Sequence, residues 1–332
     1  MNLQVRLNTN KLLLGVFLVL IIFPSALAQK RGFHFTGNNQ MVEVPFRLVN
    51  NLPVIEVKVN ESKKLNFIVD TGIRTTILFS KSYIKGLEPE YAQTVRFSGL
   101  GSDHLLHGKV AHSFTIDITD RVRANGMAMV ILQDAKLKRR FGRANIHGVL
   151  GYELFTRFIV EIDYYNKIMT FCDHGYFDFA DVYKELPLTI EDTKPYIEAD
   201  IKLPGESIQR AKFMIDTGFS GTLLFHTNEV PQLLASNSTQ PQEVALADGL
   251  SGQINGVISR VSQFNIGAMS LKNIPVMVIS NKEFDENNKI ENRSGSIGGG
   301  LFMAYAIAFD YVNNKFYMKR QHKSYRRVVV SL

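Results

Sequence analysis

The sequence of 332 residues predicts a mainly β protein of two similar lobes related by pseudo-twofold symmetry. Three observations carry that reading: a repeated Asp-Thr-Gly, a repeated glycine element, and a period-two alternation of apolar and polar residues. Phe67-Ile68-Val69-Asp70-Thr71-Gly72-Ile73 returns as Phe213-Met214-Ile215-Asp216-Thr217-Gly218-Phe219, so the aspartates stand 146 residues apart (70 to 216). Gly148-Val149-Leu150-Gly151-Tyr152-Glu153-Leu154-Phe155 returns as Gly295-Ser296-Ile297-Gly298-Gly299-Gly300-Leu301-Phe302, 147 residues later (148 to 295). Ile162-Asp163-Tyr164 then matches Phe309-Asp310-Tyr311, and Asn166-Lys167 matches Asn314-Lys315. Self-similarity at a fixed long spacing marks a duplicated structural unit. There are two units, and each carries one aspartate.

In chain order, Lys11, the apolar run Leu12–Phe23 and Ser25-Ala26-Leu27-Ala28 form the charged, apolar and small-residue zones of an export signal. Cleavage is expected after Ala28. The apolar run is too short for a membrane span, which takes about 20 residues. Residues 29–184 form the first lobe and 185–332 the second. Gln29 to Gln40 reads as an extended polar lead-in. Val42 to Phe46 and Pro53 to Val59 alternate as strands do, and Leu65 to Val69 is the strand that delivers Asp70. The second unit opens the same way: Pro195-Tyr196-Ile197-Glu198 matches Pro53-Val54-Ile55-Glu56. Behind the first Asp-Thr-Gly, Thr75 to Phe79 continues as strand and Ser80 to Lys85 as a short helical piece. A strand, a glycine turn and a returning strand describe a hairpin, around Gly99-Leu100-Gly101 in one unit and Ala247 to Gly252, with Asp248 and Gly249, in the other. The expected helices are Tyr152 to Phe158, its counterpart, and Pro231 to Ser236. The join between lobes falls between Cys172 and Glu185.

Composition narrows the class. An apolar fraction of 45% is ordinary for a globular chain, and the length suffices for two cores. The single cysteine, Cys172, cannot form an internal disulfide, so packing must hold the fold. It follows an apolar run and reads as a small buried hydrophobe. Net charge is +7, and losing Arg6 and Lys11 with the signal leaves +5. The basic residues Lys319, Arg320, Lys323, Arg326 and Arg327 read as a solvated strand and tail. Nothing along the chain carries a nucleic-acid motif. Gly298-Gly299-Gly300 lacks the following Lys-Ser or Lys-Thr of a phosphate loop. His104 and His107 alternate across a strand, which argues against a shared metal.

A carboxylate in a tight turn that ends a buried strand is held rigidly. Two such carboxylates brought face to face cannot both ionise, so they share one proton. The ionised member then takes a proton from water while the protonated one donates to a carbonyl oxygen. That chemistry hydrolyses an amide without metal or cofactor.

The two Asp-Thr-Gly turns, each followed by an apolar-apolar-Gly element, resemble the pepsin and retropepsin class of aspartic peptidases. Within that class the chain is similar to exported bacterial retropepsin-like proteins with two tandem units. The resemblance implies a bilobal acid-protease fold, a peptide or protein substrate, and a monomer acting in the periplasm, at the cell surface or outside the cell. It implies that Asp70 and Asp216 are the catalytic pair and that Thr71 and Thr217 brace the turns across the lobe interface. Gly72 and Gly218 would allow close backbone approach. Gly99, Leu100 and Gly101 would be a flap over the substrate, and Asp248 and Gly249 part of a second. The residue after each Asp-Thr-Gly is often serine in the pepsin branch, whereas Ile73 and Phe219 offer no donor. Losing a hydrogen bond to the charged form raises a carboxylate pKa. Activity is therefore expected at mildly acidic to near-neutral pH. Ile73 and Phe219 also suggest an apolar cleft, and Arg74 is expected to meet a carboxylate of the substrate or of the protein. The competing reading keeps the fold without catalysis, as a peptide- or glycan-binding protein.

Overall fold

The computed structural model describes residues 30–84, 90–97, 105–132, 134–177, 182–226, 233, 244–250, 252–279 and 293–321. Three β-sheets dominate. A nine-stranded sheet gathers strands lying between Gly32 and Leu150, and an eight-stranded sheet gathers strands between Thr189 and Gly298. The third sheet, of six strands, joins the halves in the order Lys184–Pro187, Lys315–Arg320, Tyr305–Asp310, Ile159–Asp163, Ile168–Cys172, Met41–Pro45.

The middle pair of that sheet carries the internal repeat in its register. Glu161 lies opposite Ala308, with Val160 opposite Phe309 and Ile162 opposite Ile307. Glu161 and Ala308 are themselves 147 residues apart (161 to 308), so the repeat maps this pairing onto itself. The hairpins on either side close alike. Asp163 accepts from Asn166 N at 2.9 Å and Asp310 from Asn313 N at 3.1 Å, while Lys167 and Asn314 take positive φ. Asn166 therefore corresponds to Asn313, one residue earlier than the sequence match Asn166-Lys167 with Asn314-Lys315 suggests. Two neighbouring asparagines, Asn313 and Asn314, made the wrong register look better.

The apolar core runs through both halves without a break. At the join, Phe155 stacks on Tyr311 with centroids 5.5 Å apart, and Phe302 meets Tyr164 at 6.4 Å. The repeat exchanges these two contacts. Edge-on and offset aromatic pairs of this kind add about 0.5–1.5 kcal/mol each beyond area burial.

Two elements differ from expectation. The polar lead-in contains a strand, Gly32–Phe35, that pairs antiparallel with Val122–Leu132. Phe33 and Phe35 are its buried positions, and flanking glycine and lysine residues concealed that short alternation. The helix Ala135–Arg143 was not expected either. Asp134 caps it, accepting from Lys136 N at 2.7 Å and Leu137 N at 3.0 Å, which satisfies two of the orphan N–H groups of a first turn. Leu137 is buried and Phe141 packs on Phe79 at 4.7 Å. Only those two apolar anchors stand among five basic residues, too few to reveal a helix by periodicity. The expected helical pieces at Lys81–Ile84, Tyr152–Phe155 and Gly299–Phe302 are present as single turns. Of the helix expected over Pro231 to Ser236, all but Leu233 falls outside the described residues.

Candidate active site

Each aspartate reaches the join in the same way. The strand Leu65–Val69 lies parallel to Gly148–Leu150, and Asp70 N donates to Leu150 O at 2.9 Å. The strand Ile208–Asp216 lies parallel to Gly295–Gly298, with Asp216 opposite Gly298. The repeated glycine element is thus the neighbouring strand that holds each turn from behind. Its glycines are required sterically, because a Cβ at Gly151 or Gly298 would overlap the carbonyl of Ile73 or of Phe219 and Gly221. Tyr152 N and Gly299 N donate to those turns at Ile73 O and Phe219 O, both at 2.9 Å.

Four buried hydrogen bonds lock the turns together. Thr71 Oγ1 donates to Ile215 O at 2.7 Å and accepts from Thr217 N at 3.1 Å. Thr217 Oγ1 donates to Val69 O at 2.8 Å and accepts from Thr71 N at 3.1 Å. Each hydroxyl therefore crosses to the other half and satisfies one donor and one acceptor there. Asp70 accepts from Gly72 N at 2.7 Å and Asp216 from Gly218 N at 3.0 Å. A Cβ at Gly218 would overlap the Asp70 carboxyl group, and one at Gly72 would lie 3.1 Å from an oxygen of each aspartate. The glycines of both motifs let the two carboxyl groups meet.

Outside this clamp the halves grip each other crosswise. Arg74, four residues after Asp70, pairs with Asp192 in the turn of the second unit's first hairpin. Ser220, four residues after Asp216, accepts through its carbonyl from Asn51 Nδ2 at 3.0 Å, in the matching turn of the first unit. Arg74 thus meets a carboxylate of the protein. Both of its partners are exposed, so the pair contributes at most about 1 kcal/mol.

Asp70 and Asp216 are 9% and 6% exposed and share a hydrogen bond. Burial pushes the pKa of Asp70 well above its ordinary 3.8, and the neighbouring charge of Asp216 raises it further. Burial also raises Asp216, but the Arg293 guanidinium, the Gly218 N–H and Lys194 oppose the shift. Carboxyl groups this close cannot both ionise, so the two share one proton, with both groups shifted upwards. The phenols of Tyr164 and Tyr311 lie within the field of both aspartates, buried and without a hydrogen-bond partner among the described residues. Burial, then the aspartate charges, keep both phenols protonated.

Sequence reasoning missed Lys194 and Arg293. The signal was present as departures from the repeat, since Lys194 replaces Leu52 and Arg293 replaces Ile146. Phe219 also departs from expectation. It is 4% exposed and packs with Leu224, Ile254 and Ile279, so it adds no apolar wall to a cleft. Ile73 is half-buried against the first unit's apolar cluster. Gly99, Leu100 and Gly101 lie outside the described residues, as does His104; His107 and His112 are exposed on the strand Leu106–Asp117. Asp248 and Gly249 close a hairpin in which Gly249 pairs with Gly252. The next residue, Leu250, packs on the first unit's apolar cluster, and its carbonyl accepts from Arg140 at 3.1 Å. This hairpin thus spans from the second unit to the first. A cavity of 1010 Å³ on the six-stranded sheet, lined by Glu161, Asp163 and Lys319 among others, includes neither Asp70 nor Asp216. Among the described residues no three His, Cys, Asp or Glu side chains gather as a metal set.

Residues 199–298 match the family model of the aspartyl proteases. That stretch is similar to an aspartyl protease domain. The matched stretch begins inside the strand Lys194–Lys202 and ends at Gly298, so it takes in Asp216-Thr217-Gly218 and the glycine strand behind it. Asp70 and its surroundings stand in the same relation to the first unit. None of the curated proteins matches the chain. Cys172 is buried, and desolvation, with Asp173 and Glu161 nearby, pushes its thiol up to about 12. A buried thiol held neutral in this way is a poor nucleophile.

Proposed function

We propose that the protein is an aspartic endopeptidase in which Asp70 and Asp216 activate water between them. The observation that carries this is the shared hydrogen bond of two buried carboxyl groups, each fixed by its own glycine N–H and by the reciprocal threonine clamp. A monoanionic pair supplies both functions that amide hydrolysis needs. The ionised carboxyl group of the pair accepts a proton from a water lying between the two. The protonated one donates to the substrate carbonyl oxygen as the water oxygen bonds to the carbonyl carbon. Proton return to the amide nitrogen then lets the C–N bond break, giving a carboxylic acid and an amine. Both aspartates come from one chain, so a monomer suffices. The reading of residues 1–28 as an export signal supports an activity outside the cytoplasm.

The test is hydrolysis of a mixed peptide library by the mature chain, beside Asp70→Asn and Asp216→Asn. Cleavage that either substitution abolishes is the expected result. Cleavage that survives both would refute the site, and a folded wild type that binds peptides without cutting them would refute the activity.

A further inference from the structure

The two units are not alike around the dyad. In the first, the positions flanking the aspartate strand are Leu52, Val54, Ile68 and Ile146, all part of one apolar cluster. The matching positions in the second are Lys194, Tyr196, Met214 and Arg293. The match is structural as well as sequential, since Val54 lies opposite Ile68 and Tyr196 opposite Met214 in equivalent ladders. The first unit has hydrocarbon at these positions, most of it buried. The other carries two cations.

Lys194 and Arg293 sit on the face from which Asp216 projects. Continuing the antiparallel ladder two residues beyond Tyr196 and Met214 brings Lys194 level with Asp216. Opposed residues of such a pair share a face. Arg293 Nη1 donates to Met214 Sδ at 2.9 Å on the same strand, and Arg293 also bonds the Tyr196 phenol. Among the described residues neither cation has a carboxylate bonded to it, and Arg293 Nε is buried with no hydrogen-bond partner. Both are partly buried, and each lies in the field of the other and of Asp216. The dyad supplies a single negative charge against these two positive ones, while Arg74 is already matched by Asp192. Two desolvated cations of like sign, one of them beside an unpaired buried N–H, are costly to the free protein.

Resting on the peptidase reading, we propose that Lys194 and Arg293 form a carboxylate-binding subsite beside Asp216. The preferred substrates carry an apolar residue on one side of the scissile bond, against the half-buried Leu52. On the other side they carry a carboxylate, either an Asp or Glu side chain or a free C-terminus.

Matched peptides that differ only as Glu against Gln, and as C-terminal acid against amide, test this. Their kcat/KM values are compared within each protein, so changes to the dyad itself cancel. Charge-assisted hydrogen bonds in a partly buried site predict a preference for the carboxylate of about tenfold or more in the wild type. Lys194→Met and Arg293→Met should each reduce that ratio towards one, and Lys194→Arg should keep it. Preference within the Glu/Gln pair points to a side chain, and preference within the acid/amide pair to a chain end. Binding of the same peptides to Asp70→Asn, which lacks one member of the dyad, is measured by fluorescence anisotropy. Peptides cut without charge preference would overturn the subsite and leave the peptidase intact. Charge-selective binding lost in Lys194→Met, with no cleavage by the wild type, would sustain the subsite and overturn the peptidase. Neither cleavage nor selective binding would overturn both.

Discussion

Replacing Thr71 by valine keeps the shape of the side chain and removes one buried hydroxyl. That hydroxyl donates to Ile215 O at 2.7 Å and accepts from Thr217 N at 3.1 Å, so one carbonyl and one N–H lose their partners together. A buried group left unpaired costs about 1–3 kcal/mol, which puts the loss for Thr71→Val at about 2–6 kcal/mol. The residues around it leave water little access, since Thr71 is 0% and Thr217 1% exposed. Urea unfolding measures the effect as a lower midpoint at unchanged slope. Thr71→Ser is the control, because it keeps both hydrogen bonds and loses about 1 kcal/mol for one buried methyl group. The hydroxyls of Thr71 and Thr217 make four separate bonds. The double valine variant should nevertheless lose less than the sum of the singles, because the first loss loosens the join and admits water to groups the second would orphan. Equal losses in Thr71→Val and Thr71→Ser, or a loss below about 1 kcal/mol in the former, would refute the clamp.

The dyad also makes stability depend on pH. Both folded-state pKa values are raised above the ordinary 3.8, so the native protein holds its proton where the unfolded chain releases it. Their contribution is fully favourable below that value and is lost as pH rises through the raised ones. Asp70→Asn removes this penalty, so the variant should gain stability over the wild type as pH rises, read from paired denaturation curves; the opposite trend would contradict the burial argument. The limbs of the pH–activity profile should likewise lie above 3.8, because the dyad needs one proton and both groups are shifted upwards; an optimum below that value would count against the assignment. Cys172, buried with its thiol pushed up to about 12, should not react with an aromatic disulfide reagent in the native state and should react fully in denaturant. Native-state reaction at the rate of a free thiol would show that the strand Ile168–Cys172 opens.

Much of the site was legible in the chain because duplication writes a tertiary constraint into the sequence twice. Asp70 and Asp216, their Thr and Gly neighbours, and the glycine strands behind them recur since each must satisfy the same backbone geometry at the join. Period-two alternation likewise exposed the longer strands, whose two faces meet different surroundings. Only the tertiary structure could decide what lies across the join from each residue. It showed that Arg74 meets Asp192, that Phe219 is packed inward, and that Leu250 crosses to the first unit. It also placed Lys194 and Arg293, substitutions scattered nearly a hundred residues apart, on one face beside Asp216. Local pattern reflects forces within a strand or turn. The protonation of the dyad depends on charges and burial contributed by distant segments, and those distances exist only once the chain has folded.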